Sequence, residues 1–311
     1  MARTRKQKQP IPPEQKYTRA QFNAEFPDDE ACFRHVAESR FPGGMATCAK
    51  CGRQRKHHRV TGRKALACDS CGGHVYPMAG TIFEKSTTGL RLWFEAIYLM
   101  GSTRCGISAK QLQRETGVTY KTAWRIFRQI RLLLGEEPKL AGSRVEMDET
   151  YYGGHRKGFG SGPTAGGNKK TVVGAVERGG RVVARHTEDR PGATLLGMAR
   201  EYVLPETMVY TDEFTGYEGL RKMPGMGYKH RRINHSAKVY VRGNVHTNTI
   251  EGFWSLVKRG IGGVYHAVGD GYLQSYLNEY SFRYNRRSAP EPIFRAIEKL
   301  ACGETAPARE H

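Results

Sequence analysis

Cys48-Ala-Lys-Cys51-Gly52 and Cys68-Asp-Ser-Cys71-Gly72 are two cysteine pairs of one pattern, with sixteen residues between Cys51 and Cys68. Four thiolates at this spacing can surround one zinc ion, as they do in a zinc ribbon. The glycine after each second cysteine permits the tight turn that directs two sulfurs to one ion. The pairs predict a zinc ribbon over residues 41–80 with one structural Zn²⁺. Two disulfides or four ordinary buried cysteines are the alternatives.

The segment between the two cysteine pairs is strongly basic. A zinc-bound loop of this charge is suited to contact phosphate, although a solvated charged hairpin would have the same composition. The candidate DNA-binding side chains of this segment are Arg53, Arg55, Lys56, Arg59, Arg63 and Lys64, with His57 and His58 among them.

The whole chain shares this positive charge: its 311 residues carry a formal net charge of +20. Such a field favours a polyanionic partner, and double-stranded DNA is the commonest one, with an anionic membrane surface as the competitor. No stretch approaches the roughly 18 apolar residues of a membrane-spanning helix. The basic N-terminus lacks the apolar segment of a secretory signal. Seven cysteines, four of them assigned to zinc, fit a reducing compartment; we interpret Cys32, Cys105 and Cys302 as small core residues.

Residues 81–135 have helical spacing and include a helix, a turn containing Gly117, and a second helix expected to begin near Thr119. This is the arrangement of a helix-turn-helix, whose second helix enters the major groove. Many all-helical proteins contain similar turns. The second helix would present Lys121, Arg125 and Arg128 to DNA. Before this segment we expect a disordered basic tail at 1–16 and short helices at 17–40.

From residue 143 the pattern changes to three short strands, a helix at about 192–203, a fourth strand at 208–212, and helices near 248–260 and 270–287. This order of elements predicts a ribonuclease-H-like mixed α/β domain over 143–295, followed by a C-terminal tail at 296–311. The fold class is therefore α+β and multidomain. A glycine-rich loop from 153 to 170 would interrupt the new domain.

The first strand of that domain, Arg144-Val-Glu-Met-Asp148-Glu-Thr150, carries carboxylates within a β pattern. Period two places Val145 and Met147 on one face and Glu146 and Asp148 on the other. Two carboxylates on one face of a strand favour a nearby cation. The fourth strand ends at Asp212, and in a ribonuclease-H-like sheet the first and fourth strands are neighbours. We therefore expect Asp148 and Asp212 to converge, although Asp212 could simply start a turn.

A third candidate is Glu251, followed by Lys258 on one face of a predicted helix, two turns away. Three carboxylates from distant segments can hold two Mg²⁺ ions, because magnesium prefers oxygen ligands. Paired metals activate a water or a 3′-hydroxyl on one side of a phosphorus atom and stabilise the leaving oxygen on the other. Alternatively, Glu251 could close a capping box that has Asn248 as N-cap.

Three stretches, Met147–Tyr151, Tyr210–Asp212 and His246–Arg259, closely resemble bacterial insertion-sequence transposases with an N-terminal zinc ribbon and a DDE-type, integrase-like catalytic domain. The resemblance covers about residues 18–295. It implies that Asp148, Asp212 and Glu251 hold catalytic Mg²⁺, or Mn²⁺ in its place, and that Lys258 touches the transposon end. In this family the third ligand can also be Asn or His, so Asn248 and His246 stay open as alternatives.

The resemblance implies a transposase that binds terminal inverted repeats, cuts there and joins the 3′-hydroxyls to target DNA. Two DNA ends must react together, so we expect a homodimer or higher oligomer on DNA, without membrane association, in the bacterial cytoplasm at the nucleoid. A zinc-ribbon and helix-turn-helix transcription regulator with an inert third domain is one alternative. A nuclease without strand transfer is the other.

Overall fold

The computed structural model of the chain describes residues 17–153, 170–188, 192–233 and 246–303. The chain divides into two compact units, of which Met1–Leu133 and Ser288–His311 form the first and Leu134–Arg287 the second. The predicted tail at 1–16 and most of the predicted loop at 153–170 lie outside the described residues.

The first unit begins with two short helices, continues through a small sheet and ends in a run of helices. These elements are α1 (Arg19–Glu25), α2 (Asp29–Arg40), β1 (Met45–Thr47), β2 (Gln54–Arg59), β3 (Leu66–Cys68), β4 (His74–Val75), α3 (Leu90–Ser102), α4 (Ala109–Thr116) and α5 (Tyr120–Leu133).

The second unit holds a larger sheet with helices, and the chain then returns to the first unit in one final helix. These elements are β5 (Arg144–Tyr152), β6 (Lys170–Glu177), β7 (Val182–Thr187), α6 (Gly192–Tyr202), β8 (Met208–Thr211), β9 (Lys229–Arg232), α7 (Asn248–Gly260), α8 (Asp270–Asn285) and α9 (Ile293–Cys302).

Local sequence explains the helices at the start of the first unit. Thr18 and Gln21 form a reciprocal capping box at α1, and the Asp28 side chain accepts from Ala31 N at α2. Phe22 of α1 and Phe33 of α2 are buried. The ribbon sheet has the order β1-β2-β3-β4, with every neighbouring pair antiparallel.

Two consecutive helices joined by a short turn occupy residues 109–133, where the sequence predicted a helix, a turn and a second helix. The Ser108 side chain accepts from Gln111 N and so caps α4. The helix ends at Gly117, whose φ of 72° lies in the left-handed region that glycine adopts readily. The second helix, α5, begins at Tyr120, one residue beyond the position predicted.

The C-terminal region differs from its prediction, since the proposed boundary at 295/296 falls inside α9. Phe294, Ile297 and Ala301 are buried, and α9 packs against α3 of the first unit. Gly101 of α3 permits this approach, because a Cβ there would lie 2.6 Å from backbone atoms of Phe294. The sequence pattern did not predict α9 because its packing partner, α3, lies about two hundred residues earlier in the chain.

The sheet of the second unit has the order β7-β6-β5-β8-β9. Strands β5, β6 and β7 are antiparallel, whereas β8 is parallel to both β5 and β9. The predicted neighbours, the first and fourth strands of this unit, are therefore paired. Strand β9 was not predicted, because Lys229–Arg232 contains only charged residues and one buried histidine.

Apolar clusters cover both faces of this sheet. On one face Val145 and Met147 pack with residues of α6, including Leu195. On the other face Val172, Val176 and Val182 pack with residues of α7 and α8, including Phe253 and Leu277. Strand β5 thus lies at the centre of three layers, and its Glu146–Asp148 side faces α7.

Candidate metal centres

The four cysteines of the ribbon converge. The sulfurs of Cys48, Cys51, Cys68 and Cys71 lie within 4.8 Å of one another. The Sγ atoms of Cys48 and Cys71 are 3.5 Å apart, well beyond the roughly 2.0 Å of a disulfide, and all four thiols are free. The disulfide alternative is therefore not found, and the donor set is that of a structural zinc site.

Two backbone turns direct the sulfurs inward. Gly52 N donates to Cys48 O at 2.8 Å and Gly72 N donates to Cys68 O at 3.0 Å. Both glycines have a positive φ, 69° and 68°, so the predicted reason for a glycine at each position is confirmed. Directly after the second turn, a Cβ on Gly73 would lie 2.8 Å from the Sγ of Cys48. A glycine at 73 therefore leaves room for sulfur–metal contacts.

The thiols differ in acidity. The backbone N–H of Cys51, opposed by burial and assisted by the N–H of Lys50, lowers the pKa of Cys48 to about 6. The N–H of Gly73 favours the Cys71 thiolate, but contact with the other cysteines prevails and raises the pKa of Cys71 to about 11. The cluster thus keeps a proton that a cation would displace.

The second centre brings carboxylates together at the meeting of β5 and β8. Asp148 lies in β5, Asp212 follows the last residue of β8, and their carboxylate oxygens lie within 4.8 Å of each other and of Glu149. The convergence of Asp148 and Asp212 agrees with the prediction. Glu149 was missed because period two assigns it to the opposite face, where its Oε2 accepts from Tyr217 Oη at 2.9 Å.

Asp148 lies in an environment that disfavours its negative charge. Burial is the main cause, and the charges of Glu149 and Asp212 add to it, so the pKa of Asp148 is raised to about 7. A cation at this point would relieve the repulsion. An oxygen donor set of this kind fits Mg²⁺ or Mn²⁺, so the residues present suit the metals that the sequence predicted.

Trp254 of α7 orients the Asp148 carboxylate, a role that no sequence pattern predicted. Its indole Nε1 donates to Asp148 Oδ2 at 3.1 Å. The residue paired with Asp148 across the strands is Gly174, where a Cβ would lie 2.5 Å from the Trp254 ring. The absence of a side chain at 174 is what lets the indole reach Asp148.

Asp212 is oriented by its own loop. Its Oδ1 accepts from Phe214 N at 3.0 Å, and its carbonyl accepts from Thr211 Oγ1 at 2.8 Å. His230 of β9 lies 2.9 Å from the same hydroxyl through Nε2. Burial, with the charges of Arg232 and Arg221, lowers the pKa of His230 to about 4, so the imidazole is neutral at physiological pH. A neutral imidazole can donate to Thr211 without adding charge beside Asp212.

Glu251 is exposed in the first turn of α7 and accepts from Thr247 Oγ1 at 2.7 Å. Among the described residues it is not in the group formed by Asp148, Glu149 and Asp212. The capping-box alternative is wrong, because α7 begins at Asn248 and the cap residue is Thr247, without a side-chain cap hydrogen bond. Lys258 lies two turns further along α7 and is exposed.

Glu146 also departs from its prediction. It shares the α7-facing side of β5 with Asp148, but it is fully buried and bonded to Arg178 and to the start of α7. Its charge is therefore matched within the protein, so the expectation that Glu146 shares a cation with Asp148 is wrong for Glu146, and cation binding by Asp148 stays a prediction.

The basic residues of the ribbon fall into two groups. Arg53, Lys56, Arg63 and Lys64 are exposed. Arg59 instead donates to both oxygens of Glu30 at 2.9 Å and lies 4.1 Å over the Phe33 ring. Arg55 is half-buried, with its Nε 3.8 Å from Asp69 Oδ1. Arg59 therefore has a structural partner that the sequence did not reveal.

The candidates in the second helix of the helix–turn–helix segment are similarly divided. Lys121 is exposed in the first turn of α5. Arg125 is exposed as well, but its Nη2 donates to Thr88 Oγ1 at 2.9 Å. Arg128 is half-buried, with its guanidinium 6.0 Å from the centre of the Trp124 ring.

Residues 27–74 match the model of the transposase zinc-ribbon domain, and residues 139–285 match that of the ISXO2-like transposase domain. A relative from Halobacterium salinarum, named as an uncharacterized protein in transposable element ISH50, is 31% identical over 238 residues, 70% of this chain and 76% of its own. The chain belongs to the ISXO2-like transposase family. A transposase-like protein of Haemophilus influenzae is 34% identical over 101 residues, 32% of this chain and 78% of its own.

The resemblance to insertion-sequence transposases with an N-terminal zinc ribbon is thereby confirmed. The ribbon match contains all four cysteines, and the transposase-domain match contains Asp148, Asp212 and Glu251. Within the part of the chain that the structure describes, no helix has both the length and the apolar character needed to cross a membrane.

Proposed function

We propose that this transposase binds double-stranded DNA at the terminal inverted repeats of its element, cuts there, and joins the 3′-hydroxyls to target DNA in a Mg²⁺-dependent reaction. The observation that carries the proposal is the convergence of Asp148 and Asp212, from strands that are distant in sequence, in a group of carboxylates that repel one another.

Asp148 and Asp212 would hold the metal ions, with Glu149 beside them and Glu251 as the proposed third ligand. When bound, two Mg²⁺ ions would polarise the attacking hydroxyl and neutralise charge on the leaving oxygen. The residues of the chain keep these ligands in place: Trp254 N–H holds one oxygen of Asp148, and Phe214 N–H holds one of Asp212.

We also propose that the second unit is ribonuclease-H-like. Support comes from its sheet, in which β5 lies between antiparallel β6 and parallel β8, with helices on both faces. In this arrangement the carboxylates of Asp148, Glu149 and Asp212 lie where β5 and β8 meet, so the pairing of those two strands brings them together.

Recognition of the DNA ends is proposed for the ribbon and for the second helix of the helix–turn–helix segment. Exposed Arg53, Lys56 and Lys121 are suited to phosphate contact. Lys258 is proposed to touch the element end beside the metal centre. Because two ends must react together, the active species would be a dimer or higher oligomer on DNA.

Two other functions make different predictions. A transcription regulator with an inert third domain would use the ribbon and helices but have no use for clustered carboxylates. A nuclease would use the same carboxylates with water as the nucleophile in place of a 3′-hydroxyl. The first is distinguished by the absence of cleavage, and the second by cleavage without strand transfer.

The experiment is Mg²⁺-dependent cleavage and strand transfer on a labelled element end. Asp148→Asn should lower cleavage by several orders of magnitude while end binding survives, because the variant keeps the size of the side chain and removes its charge. Asp212→Asn should behave alike. Asp270→Asn is the matched control, since it makes the same change in the same unit, in a side chain that pairs with Lys170.

Near-wild-type turnover by Asp148→Asn would reject Asp148 as a ligand of the catalytic metal and with it the proposed mechanism, whereas absence of cleavage by the wild type would favour the regulator. The third ligand is tested separately by Glu251→Gln against Asn248→Ala and His246→Ala. If Glu251 holds metal, only its variant should approach the loss produced by Asp148→Asn.

A further inference from the structure

The N-terminus of α7 is bound to a carboxylate from another element, Glu146 of β5. Glu146 Oε2 accepts from Thr249 N at 2.7 Å and from Ile250 N at 3.1 Å, and Oε1 accepts from Thr249 Oγ1 at 2.9 Å. The first N–H groups of a helix have no partner within it, and together they favour an anion. Glu146 therefore does from β5 what a side-chain cap normally does from the helix itself.

Cationic and polar groups complete the surroundings of Glu146. Arg178, which follows β6, donates from Nε to Glu146 Oε1 at 2.6 Å and from Nη2 to the carbonyl of His246 at 2.8 Å. His246 Nδ1 lies 3.3 Å from the same Glu146 oxygen. The Arg178 guanidinium also lies 4.1 Å over the Tyr210 ring of β8. Glu146 thus joins β5, β8, the end of β6 and α7 at one buried point.

The position of this junction on β5 relates it to the metal centre. Glu146 and Asp148 are two residues apart and share one side of the strand. Helix α7 contacts both: Ile250 N–H bonds Glu146, and Trp254 Nε1 bonds Asp148. Glu251 lies in the turn between these two contacts. The hydrogen bonds at the two ends of that turn therefore fix where Glu251 lies relative to β5.

We propose that Glu146 is a positioning residue for the metal centre, which holds the start of α7, and with it Glu251 and Trp254, against Asp148. This inference rests on the proposed metal-dependent reaction. A buried carboxylate with two backbone donors, one hydroxyl donor and a guanidinium resists displacement, since moving it would leave charges unpaired in the interior.

A merely structural ion pair at the same place would affect folding but not the metal ligands of the folded protein. A measurement of metal affinity distinguishes the structural role from the positioning role. Glu146→Gln keeps the shape and one carbonyl acceptor but loses the charge that holds the helix start. Glu177→Gln is the matched control, because the Glu177 side chain also accepts from backbone N–H groups, but those of Gly142 and Arg181, and among the described residues it has no hydrogen bond to α7.

The experiment measures Mn²⁺ binding to the full-length protein by titration calorimetry, beside the Mg²⁺ concentration that gives half-maximal cleavage. Glu146→Gln should weaken Mn²⁺ binding and raise that Mg²⁺ concentration, each by about tenfold or more, as changes behind metal ligands commonly do. Glu177→Gln should leave both unchanged. Thr249→Val removes one donor to Glu146 without a change of charge, and should give a smaller effect in the same direction.

The effect should also depend on Glu251. In a Glu251→Gln background, Glu146→Gln should weaken Mn²⁺ binding less than it does in the wild type, because the part of its effect that passes through Glu251 is lost. An equal Mn²⁺ affinity of wild type and Glu146→Gln, with both fully folded, would overturn the proposal, and so would full additivity of the two substitutions.

The two proposals fail in different ways. If the wild type cuts no DNA but Glu146→Gln and Glu251→Gln have non-additive effects on Mn²⁺ affinity, the role of Glu146 is supported and the transposition reaction is rejected. A wild type that cuts and joins DNA, with Glu146→Gln of unchanged metal dependence, would do the reverse.

Discussion

The two candidate metal centres of this transposase are built in opposite ways. The sulfur ligands come from residues 48–71, and short turns within that segment bring them together. The carboxylates come from Asp148, Glu149 and Asp212, and they meet because β5 and β8 are paired in parallel. One centre depends on local backbone geometry, and the other on a sheet whose strands are far apart in sequence.

The hydrophobic surroundings of the two centres differ as well. The ribbon strands are two to six residues long and bury few large side chains around the cysteines. The carboxylate centre lies on a five-stranded sheet with an apolar cluster on each face. The comparison predicts that zinc would stabilise the fold of the ribbon, whereas the second unit would keep its fold without metal.

The largest expected effect is loss of zinc from the ribbon. Replacing Cys51 and Cys68 together by serine should abolish zinc binding and unfold the ribbon, because the binding energy of a structural zinc, on the order of 10 kcal/mol, also drives folding. Metal analysis of the purified protein should give one zinc per wild-type chain and none in the variant. Hydrogen exchange should rise over residues 45–75 and stay unchanged in β5–β8.

A strong chelator applied to the wild type is the independent test of the same contrast. If the chelator loosens β5–β8 as much as the ribbon, the proposed difference between the centres is wrong. Retention of zinc by the double variant would reject the cysteine assignment itself.

An intermediate effect is expected from pH at the carboxylate centre. In metal-free protein the pKa of Asp148 is raised from 3.8 to about 7, so the folded state keeps a proton that the unfolded state releases. The free energy of unfolding should therefore fall as pH rises from about 4 to about 7, by on the order of 2 kcal/mol after solvent screening. Thermal unfolding of wild type and Asp148→Asn at pH 5 and pH 8 measures this difference.

Added Mg²⁺ should restore stability to the wild type at pH 8 and have little effect on Asp148→Asn, because the ion compensates the charge that the substitution removes. Parallel pH profiles of the two proteins would show that Asp148 ionises normally. Such profiles would remove the electrostatic argument for a cation at this centre.

The smallest effects concern the basic side chains of the ribbon. If Arg53 and Lys56 contact phosphates, Arg53→Ala and Lys56→Ala should each reduce the salt dependence of DNA binding by about 0.9 on a log–log plot. Arg59→Ala should leave that slope unchanged and instead cost about 1 kcal/mol of stability, because Glu30 and Phe33 already bind its guanidinium. Binding isotherms over a range of salt concentrations, with thermal unfolding in parallel, distinguish these outcomes.

A slope that changes with Arg59→Ala as much as with Arg53→Ala would mean that Arg59 leaves Glu30 to bind DNA. That result would return Arg59 to the DNA-binding side chains that the sequence predicted. No change with any of the three substitutions would place the DNA-binding surface outside the ribbon.

Much of the architecture could be predicted because the signals are local. The cysteine spacing gives the ribbon, Ser108 and Gly117 bound a helix of the helix–turn–helix segment, and alternation assigns Val145 and Asp148 to opposite faces of β5. Strand β9 was missed because its residues are nearly all charged, and α9 because its packing partner, α3, is remote in sequence. The burial of Glu146 at the start of α7 was missed for a related reason, since its donors in α7 lie more than a hundred residues away.

By itself the sequence determined the ligand types of both centres, the glycines that turn the ribbon and the strand that carries Asp148. Spacing and period specify these features, because each depends on residues only a few positions apart. Tertiary structure alone decided which carboxylates share an environment. It placed Glu146 in a matched buried network and Asp148 among like charges, two residues apart on one strand. The physical reason is that the energy of a charge depends on the groups that folding brings to it, and pairing of β5 with β8 and α7 selects those groups.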